Sequence, residues 1–283
     1  MNFLSFAQIN GLLIRDLYAS DKIRRCPTEK NPQKKNGAYL YDGQRGFIFS
    51  WDGEARAIWW NDPNAKPFTE EEKADLRRKW SADKAKKEQS QKLVAKKAQE
   101  ILKDSKLVNH GHLRYKGLSE YQGFETKDGH LFIPTRDVVS NELTGGQMVC
   151  WNQDLMKWEK KFLPGMRAKN SVFRIGSKSA QETFICEGYT TGLSIDKALK
   201  QMRLNACVLV CFSAGNMTAV SSVIEGKKYI YADNDESETG LKAAQATGIP
   251  FCMSDKIGND ANDDLNEFGV FYVIKKLQEV RLG

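Results

Sequence analysis

Residues 181–283 alternate between short apolar runs and amphipathic stretches, and this rhythm restricts the fold more than any other feature of the chain. ETFICEG reads as an apolar strand, YTTGLSIDKALKQ as an amphipathic helix, and ACVLVCFSAGN as a second strand with its turn. A short helix is expected around 217–224. KKYIYADND then supplies a third strand, SETGLKAAQATG a helix ending on a glycine cap, and IPFCMSD a fourth strand. A chain that repeats strand and helix in this way buries its apolar surface as a parallel sheet with helices on its faces. The closing stretch FGVFYVIKKLQEVRL is a further amphipathic helix, which either packs on this sheet or docks on a partner.

The carboxylates fall at the ends of these strands. Glu187 follows TFIC, Asp233 and Asp235 follow KKYIYA, and Asp260, Asp263 and Asp264 lie just after the fourth strand. Sites in open parallel sheets assemble at the carboxyl edge, so the three groups are expected to converge. The alternation in Asp233-Asn234-Asp235 puts both aspartates on one face if the backbone stays extended. Crowded carboxylates repel one another, and a divalent cation removes that cost. An all-oxygen donor set favours Mg²⁺ or Mn²⁺ over zinc. The plain alternative is that these are loop acids and helix caps, which Asp-Asn-Asp alone would not exclude.

Upstream, residues 1–66 read as a small β-rich module. MNFLSFAQINGLLIRDL is an amphipathic helix lacking the basic start and cleavage site of a signal peptide. RRCPTEKNPQKKNG is a loop, and AYLYDGQRGFIFSWDGEARAIWW is an antiparallel meander turning twice, at Asp-Gly or nearby glycines. Its aromatics Phe47, Phe49, Trp51, Trp59 and Trp60 either build a small core, the favoured reading, or stack on bases. Residues 67–106 form a charged helical linker of one or two helices, beginning at Thr69. Residues 107–180 form a basic α+β subdomain. HLFIPTRD and GGQMVCWNQD are strands there, and KWEKKFLPGMRAKNSVFRIG is a basic loop leading into a strand.

Charge is divided along the chain. Residues 181–283 hold 10 Lys/Arg and 14 Asp/Glu, which leaves 33 and 22 before them out of totals of 43 and 36. A basic front and an acidic back suit a nucleic-acid path leading to a metal site, although surface lysines also serve solubility alone. No apolar run has the length of a membrane span, so a cytoplasmic protein is expected. The six cysteines form no Cys-x-x-Cys pair, and the three histidines add no ligand spacing. Free core thiols in a reducing compartment are expected, with no zinc.

At this point a resemblance becomes specific. FICEGYTTGLSI, CFSAGN, KYIYADND and GNDANDDLNEF resemble the successive motifs of the Toprim domain, shared by bacterial-type primases, topoisomerases and some nucleases. The form of these motifs is most similar to the primases of phages and plasmids. The resemblance is strong over 181–268 and extends more weakly to FIPTRDVVSNELTGGQMVCWNQDLMKWEKKFLPG, which is similar to the basic subdomain before Toprim. It implies that Glu187 is the catalytic or metal-organising acid. Asp233, Asp235, Asp260 and Asp263 would be the metal residues, with Asp264 a neighbour of uncertain role. Arg136, Lys160, Lys161 and Lys169 would face nucleotide or template. Residues 1–66 occupy the place of a zinc ribbon and resemble one in strand pattern, but of a ligand set only Cys26 remains.

The resemblance therefore implies a DNA primase that makes short RNA primers on single-stranded DNA from ribonucleoside triphosphates, with Mg²⁺ or Mn²⁺. No Gly-x₄-Gly-Lys-Ser/Thr phosphate loop is present, so a replicative helicase is expected in trans. The alternatives are a Toprim nuclease, using water as nucleophile, and a non-catalytic single-strand-binding replication protein.

Overall fold

The computed structural model describes residues 1–52 and 56–283. Its contacts divide the chain into two units, Met1–Ser81 and Ala82–Gly283.

The first unit opens with α1 (Phe3–Ile9), capped by the Asn2 side chain, which accepts from the Ser5 N–H. The helix is much shorter than the opening pattern implies. Gly11 adopts φ +76°, a backbone state open to glycine, and Leu12 leaves to bridge Thr28. Four antiparallel strands follow in chain order: β1 (Ser20–Cys26), β2 (Gly37–Tyr41), β3 (Arg45–Ser50) and β4 (Ala57–Asn61). Arg24, Arg25 and Cys26, expected in a loop, pair with β2 instead. Asp42 makes the first meander turn by accepting from the Gln44 and Arg45 N–H groups. The second expected turn, at Asp52–Gly53, runs into residues 53–55, outside the described residues.

Strand alternation divides the aromatics. Trp60 joins Phe3, Tyr39 and Ile48 in the core, while Trp59 on the opposite face pairs with Phe47 and is 68% exposed. Trp51 is also exposed, so the core reading holds for Trp60 and not for all five. The charged stretch is one helix, α2 (Glu70–Asp104). Thr69 and Glu72 start it with a reciprocal cap, each side chain accepting from the other's N–H.

In the second unit, Val94, Ala98, Ile101 and Leu102 of α2 pack with Phe132 and Leu163. The chain continues through β5 (Lys106–Val108), α3 (Gly111–Tyr115), β6 (Gly123–Glu125), β7 (Leu131–Asp137), β8 (Leu143–Asn152), β9 (Lys157–Phe162) and β10 (Ser171–Ile175). The α/β alternation then runs β11 (Glu182–Cys186), α4 (Tyr189–Gln201), β12 (Ala206–Val210), α5 (Ala214–Ser221), β13 (Lys227–Ala232), α6 (Thr239–Thr247) and β14 (Phe251–Met253). Helices α7 (Ala261–Phe268) and α8 (Val270–Leu282) close the chain. One sheet carries all ten strands, in the order β14-β13-β11-β12-β10-β7-β6-β5, with β8 and β9 branching from β7. Strands β12, β11, β13 and β14 run parallel; β10 is antiparallel to both β12 and β7.

The parallel strands are apolar on both faces because both are covered. Phe184, Cys186, Val208, Val210 and Tyr231 face α4, α7 and α8, whereas Ile185, Leu209, Ile230 and Ala232 face α5 and α6. The fold is the α/β class expected, with a β-rich module before it. Helix α6 ends as read, with Gly248 at φ +66°. Two local readings are corrected. KWEKKF is strand β9, hairpinned to β8, rather than a loop. Helix α5 starts three residues before the expected segment, at the Ser213 cap, whose hydroxyl accepts from the Asn216 N–H. All six cysteines are free thiols, four of them buried. Among the described residues no helix is long and apolar enough to cross a membrane.

Candidate metal and nucleotide site

Glu187 and Asp233 directly follow the carboxyl ends of the neighbouring strands β11 and β13. Asp233 is largely buried, and its Oδ1 has no hydrogen-bond partner among the described residues. Burial pushes its carboxyl up to about 7, and the neighbouring Asp260, Glu187 and Asp235 push in the same direction. Burial also raises Glu187, with Asp235 adding to it. Lys160 acts on both acids in the opposite sense, so its ammonium lies within electrostatic reach of the cluster.

Asp235 and Asp260 stand in the same field but spend their oxygens locally. Burial tends to raise Asp235, but the Ser237 hydroxyl and the N–H groups of Thr239 and Gly240 override it and hold the carboxylate low. These are the first donors of α6, so Asp235 doubles as a helix cap. Gly240 is required there, because a Cβ would lie 2.5 Å from the Asp233 carbonyl oxygen. Asp260 caps α7 by accepting from the Asn262 and Asp263 N–H groups, and its second oxygen accepts from the Thr191 hydroxyl at 2.8 Å. Asp263 returns the cap to the Asp260 N–H and sits 3.7 Å from the Lys116 ammonium. Asp264 is wholly buried. It accepts from Tyr231, Ser254 and Asn259, a satisfied structural acid away from the open cluster.

The basic residues separate by strand geometry. On β9, Lys160 faces the acids while its neighbour Lys161 points the other way and pairs with Glu159 at 2.7 Å. Lys169 is exposed on the approach to β10. Arg136 donates to the Asn141 carbonyl and lines a separate cavity that contains none of the acids. Three contributors escaped the sequence reading of the site. Thr191 is one. Lys116 is the second; its carbonyl accepts from the Asn262 and Asn266 amides at 3.0 and 3.2 Å. His112 is the third: it is buried, its Nδ1 has no hydrogen-bond partner among the described residues, and it is held neutral by burial, Lys160 and Lys116, which lower it to about 4. The only signals in sequence were the small polar Thr190-Thr191 after Glu187-Gly188 and the lysine in Lys116-Gly117-Leu118.

Among the described residues, no three His, Cys, Asp or Glu side chains stand close enough to hold one ion between them. The chemistry of the donors nevertheless fits a divalent cation. Glu187 and Asp233 are partly buried and raised by their surroundings, and Asp233 Oδ1 is buried with no hydrogen-bond partner among the described residues. Asp235 and Asp260 add charge beside them.

Residues 182–270 match the family described as the Toprim domain. No curated protein matches the chain. Among solved structures, the RNA polymerase domain of Mycobacterium tuberculosis primase DnaG aligns at 17% identity over 59% of this chain, with a TM-score of 0.38. The chain spans 61% of that domain's length, and a superposition this loose fixes neither fold nor activity.

Proposed function

We propose that the chain is a primase-type nucleotidyltransferase that builds short RNA on single-stranded DNA from ribonucleoside triphosphates. The observation that carries this reading is the buried, unpartnered Asp233 carboxylate, set among Glu187, Asp235 and Asp260 and faced by Lys160, within the segment that matches the Toprim domain. An arrangement of acids with one opposing cation is unfavourable when empty and suits a cation with a phosphate beside it.

Glu187 and Asp233 would hold Mg²⁺ or Mn²⁺, with Asp235 and Asp260 closing the acidic wall and Asp263 further out beside Lys116. The cation, when bound, lowers the pKa of a primer 3′-hydroxyl and neutralises the triphosphate. Lys160 attracts and orients the phosphate from the facing hairpin, and the Thr191 hydroxyl keeps Asp260 turned toward the cluster. Glu187, whose carboxyl burial raises, would be the group that takes up the hydroxyl proton. Lys161 and Lys169 lie outside this constellation and would serve the template path by charge alone. The reading brings with it a replicative helicase supplied in trans and a phage- or plasmid-encoded protein working in the bacterial cytoplasm.

The test is synthesis on a mixed single-stranded DNA library with labelled ribonucleotides and Mg²⁺ or Mn²⁺, with and without a replicative helicase. Short RNA products made by the wild type and lost in Asp233→Ala support the proposal. DNA cleavage lost in the same variant would replace it by a nuclease. DNA binding with neither activity would leave a non-catalytic binding protein.

A further inference from the structure

A second charged feature lies on strands β7 and β10. Pro134, Arg136, Asn141, Phe173, Arg174 and Lys178 surround a cavity of about 310 Å³. Gly176, also in its wall, packs against Ala206 and Cys207 at the start of β12. The acids of the candidate site follow β11 and β13, on the other side of β12 from β10 and β7. The two sites are therefore separated across the sheet, with β12 between them, and share no lining residue.

The cavity is cationic by construction. Arg136 lies opposite Val172 on β7, and Arg174 is two residues along β10 from Val172, so both side chains emerge on one sheet face. Lys178 reaches in from the loop after β10. A single turn tethers all three. Arg136 donates to the Asn141 carbonyl at 3.0 Å, Arg174 to Val138 at 3.2 Å, and Lys178 to Val139 at 2.7 Å. No carboxylate lines the cavity, and among the described residues none of the three cations forms an ion pair. The one nearby acid in sequence, Asp137, is taken by Arg167 at 2.7 Å and by the turn's own N–H groups.

Three like charges gathered at a half-buried wall repel one another, and carbonyl tethers use only part of their donor capacity. The carbonyls also fix the direction of the side chains, which lowers the ordering cost of binding an anion. Two guanidinium groups and an ammonium form a donor set matched to phosphate oxygens, and the apolar wall from Pro134 and Val172 leaves room for a ring or sugar.

We propose that Arg136, Arg174 and Lys178 form a phosphate-binding pocket, separate from the acidic cluster, which takes a nucleotide phosphate or a phosphodiester of a passing strand. This pocket stands whether or not the chain makes primers, and it reassigns Arg136 from the acidic site to a site of its own.

The test measures binding of inorganic pyrophosphate and of a short single-stranded oligodeoxynucleotide by the full chain in EDTA, which keeps cations off the acidic cluster. Arg174→Gln/Lys178→Gln is expected to weaken at least one probe by about tenfold or more, whereas Lys275→Gln, at an exposed lysine of α8 paired with Glu279, leaves that probe within about twofold. Loss of pyrophosphate binding identifies a nucleotide-type phosphate. Loss confined to the oligonucleotide, with a shallower salt dependence, identifies a strand phosphodiester. Phenylglyoxal labelling of the wild type, read by peptide mass spectrometry, needs no variant to fold: the bound probe should protect Arg174 and Arg136. Both probes bound unchanged by the double variant, no binding of either probe by the wild type, or an equal loss in Lys275→Gln, would overturn the pocket, as would unprotected arginines.

Discussion

The Thr191 hydroxyl donates to Asp260 Oδ2 at 2.8 Å across 69 residues of sequence, joining the first turn of α4 to the cap of α7. One bond thus holds together two of the element ends that build the acidic cluster. Thr191→Val removes the donor without changing the side-chain shape. It should cost about 1–2 kcal/mol in urea unfolding, and nucleotide incorporation should fall as Asp260 turns away. Thr191→Ser should restore both. A purely structural bond would show the stability loss without the loss of incorporation.

Adjacent lysines on β9 are expected to differ sharply. Lys160 faces Glu187 and Asp233, while Lys161 faces Glu159. Lys160→Ala should lower incorporation by about tenfold or more, the effect of losing a charged phosphate contact, and Lys161→Ala should stay within about twofold. Steady-state assays at matched salt distinguish them. Equal losses would mean that the lysines act only as general charge.

In the absence of metal, stability should carry two opposing pH dependences. Burial and neighbouring carboxylates raise Asp233 from 3.8 to about 7. Across that window the folded chain keeps a proton that the unfolded chain releases, so stability falls as pH rises. Burial, Lys160 and Lys116 lower His112 from 6.5 to about 4. There the unfolded chain takes a proton that the folded chain refuses, so stability falls as pH drops. Asp233→Asn removes the first effect and leaves the second. In EDTA, the variant should exceed the wild type in stability above pH 7 and match it more closely near pH 4. Urea unfolding at a series of pH values reads the difference.

The far end of the sheet offers a test of stability alone. Arg281 of α8 donates twice to Glu182 at the start of β11, at 2.7 and 3.0 Å, and this contact holds the Glu182 carboxyl low. Arg281→Gln should cost about 1–3 kcal/mol in denaturant unfolding, because the pair is charged and mostly covered. Activity per folded molecule should be unchanged.

Much of this architecture is legible in the sequence where one periodicity dominates. YTTGLSIDKALKQ reads as a helix, and α4 occupies Tyr189–Gln201. The apolar strands around Phe184, Leu209 and Ile230 are equally plain, since burial on both faces leaves no other use for such runs. The reading is weakest where tertiary pairing decides. KWEKKF carries too much charge to look like a strand, yet pairing with β8 makes it one, and that alone separates Lys160 from Lys161. Helix α7 was hidden because its cap residues, Asp260 and Asp263, are the same acids that draw attention as a motif. The sequence brings the carboxylates to the strand ends; it does not say which oxygens the local backbone has already taken.

The most direct test of the account is Mn²⁺ binding, followed by electron paramagnetic resonance, to the wild type and to Glu187→Gln/Asp233→Asn. The account predicts saturable binding by the wild type and loss of that binding in the double variant, with Asp263→Asn close to wild type because Asp263 is engaged by the α7 cap and Lys116. Equal Mn²⁺ binding by the wild type and the double variant would contradict the account, because Glu187 and the unpartnered Asp233 Oδ1 would then have no cation to hold.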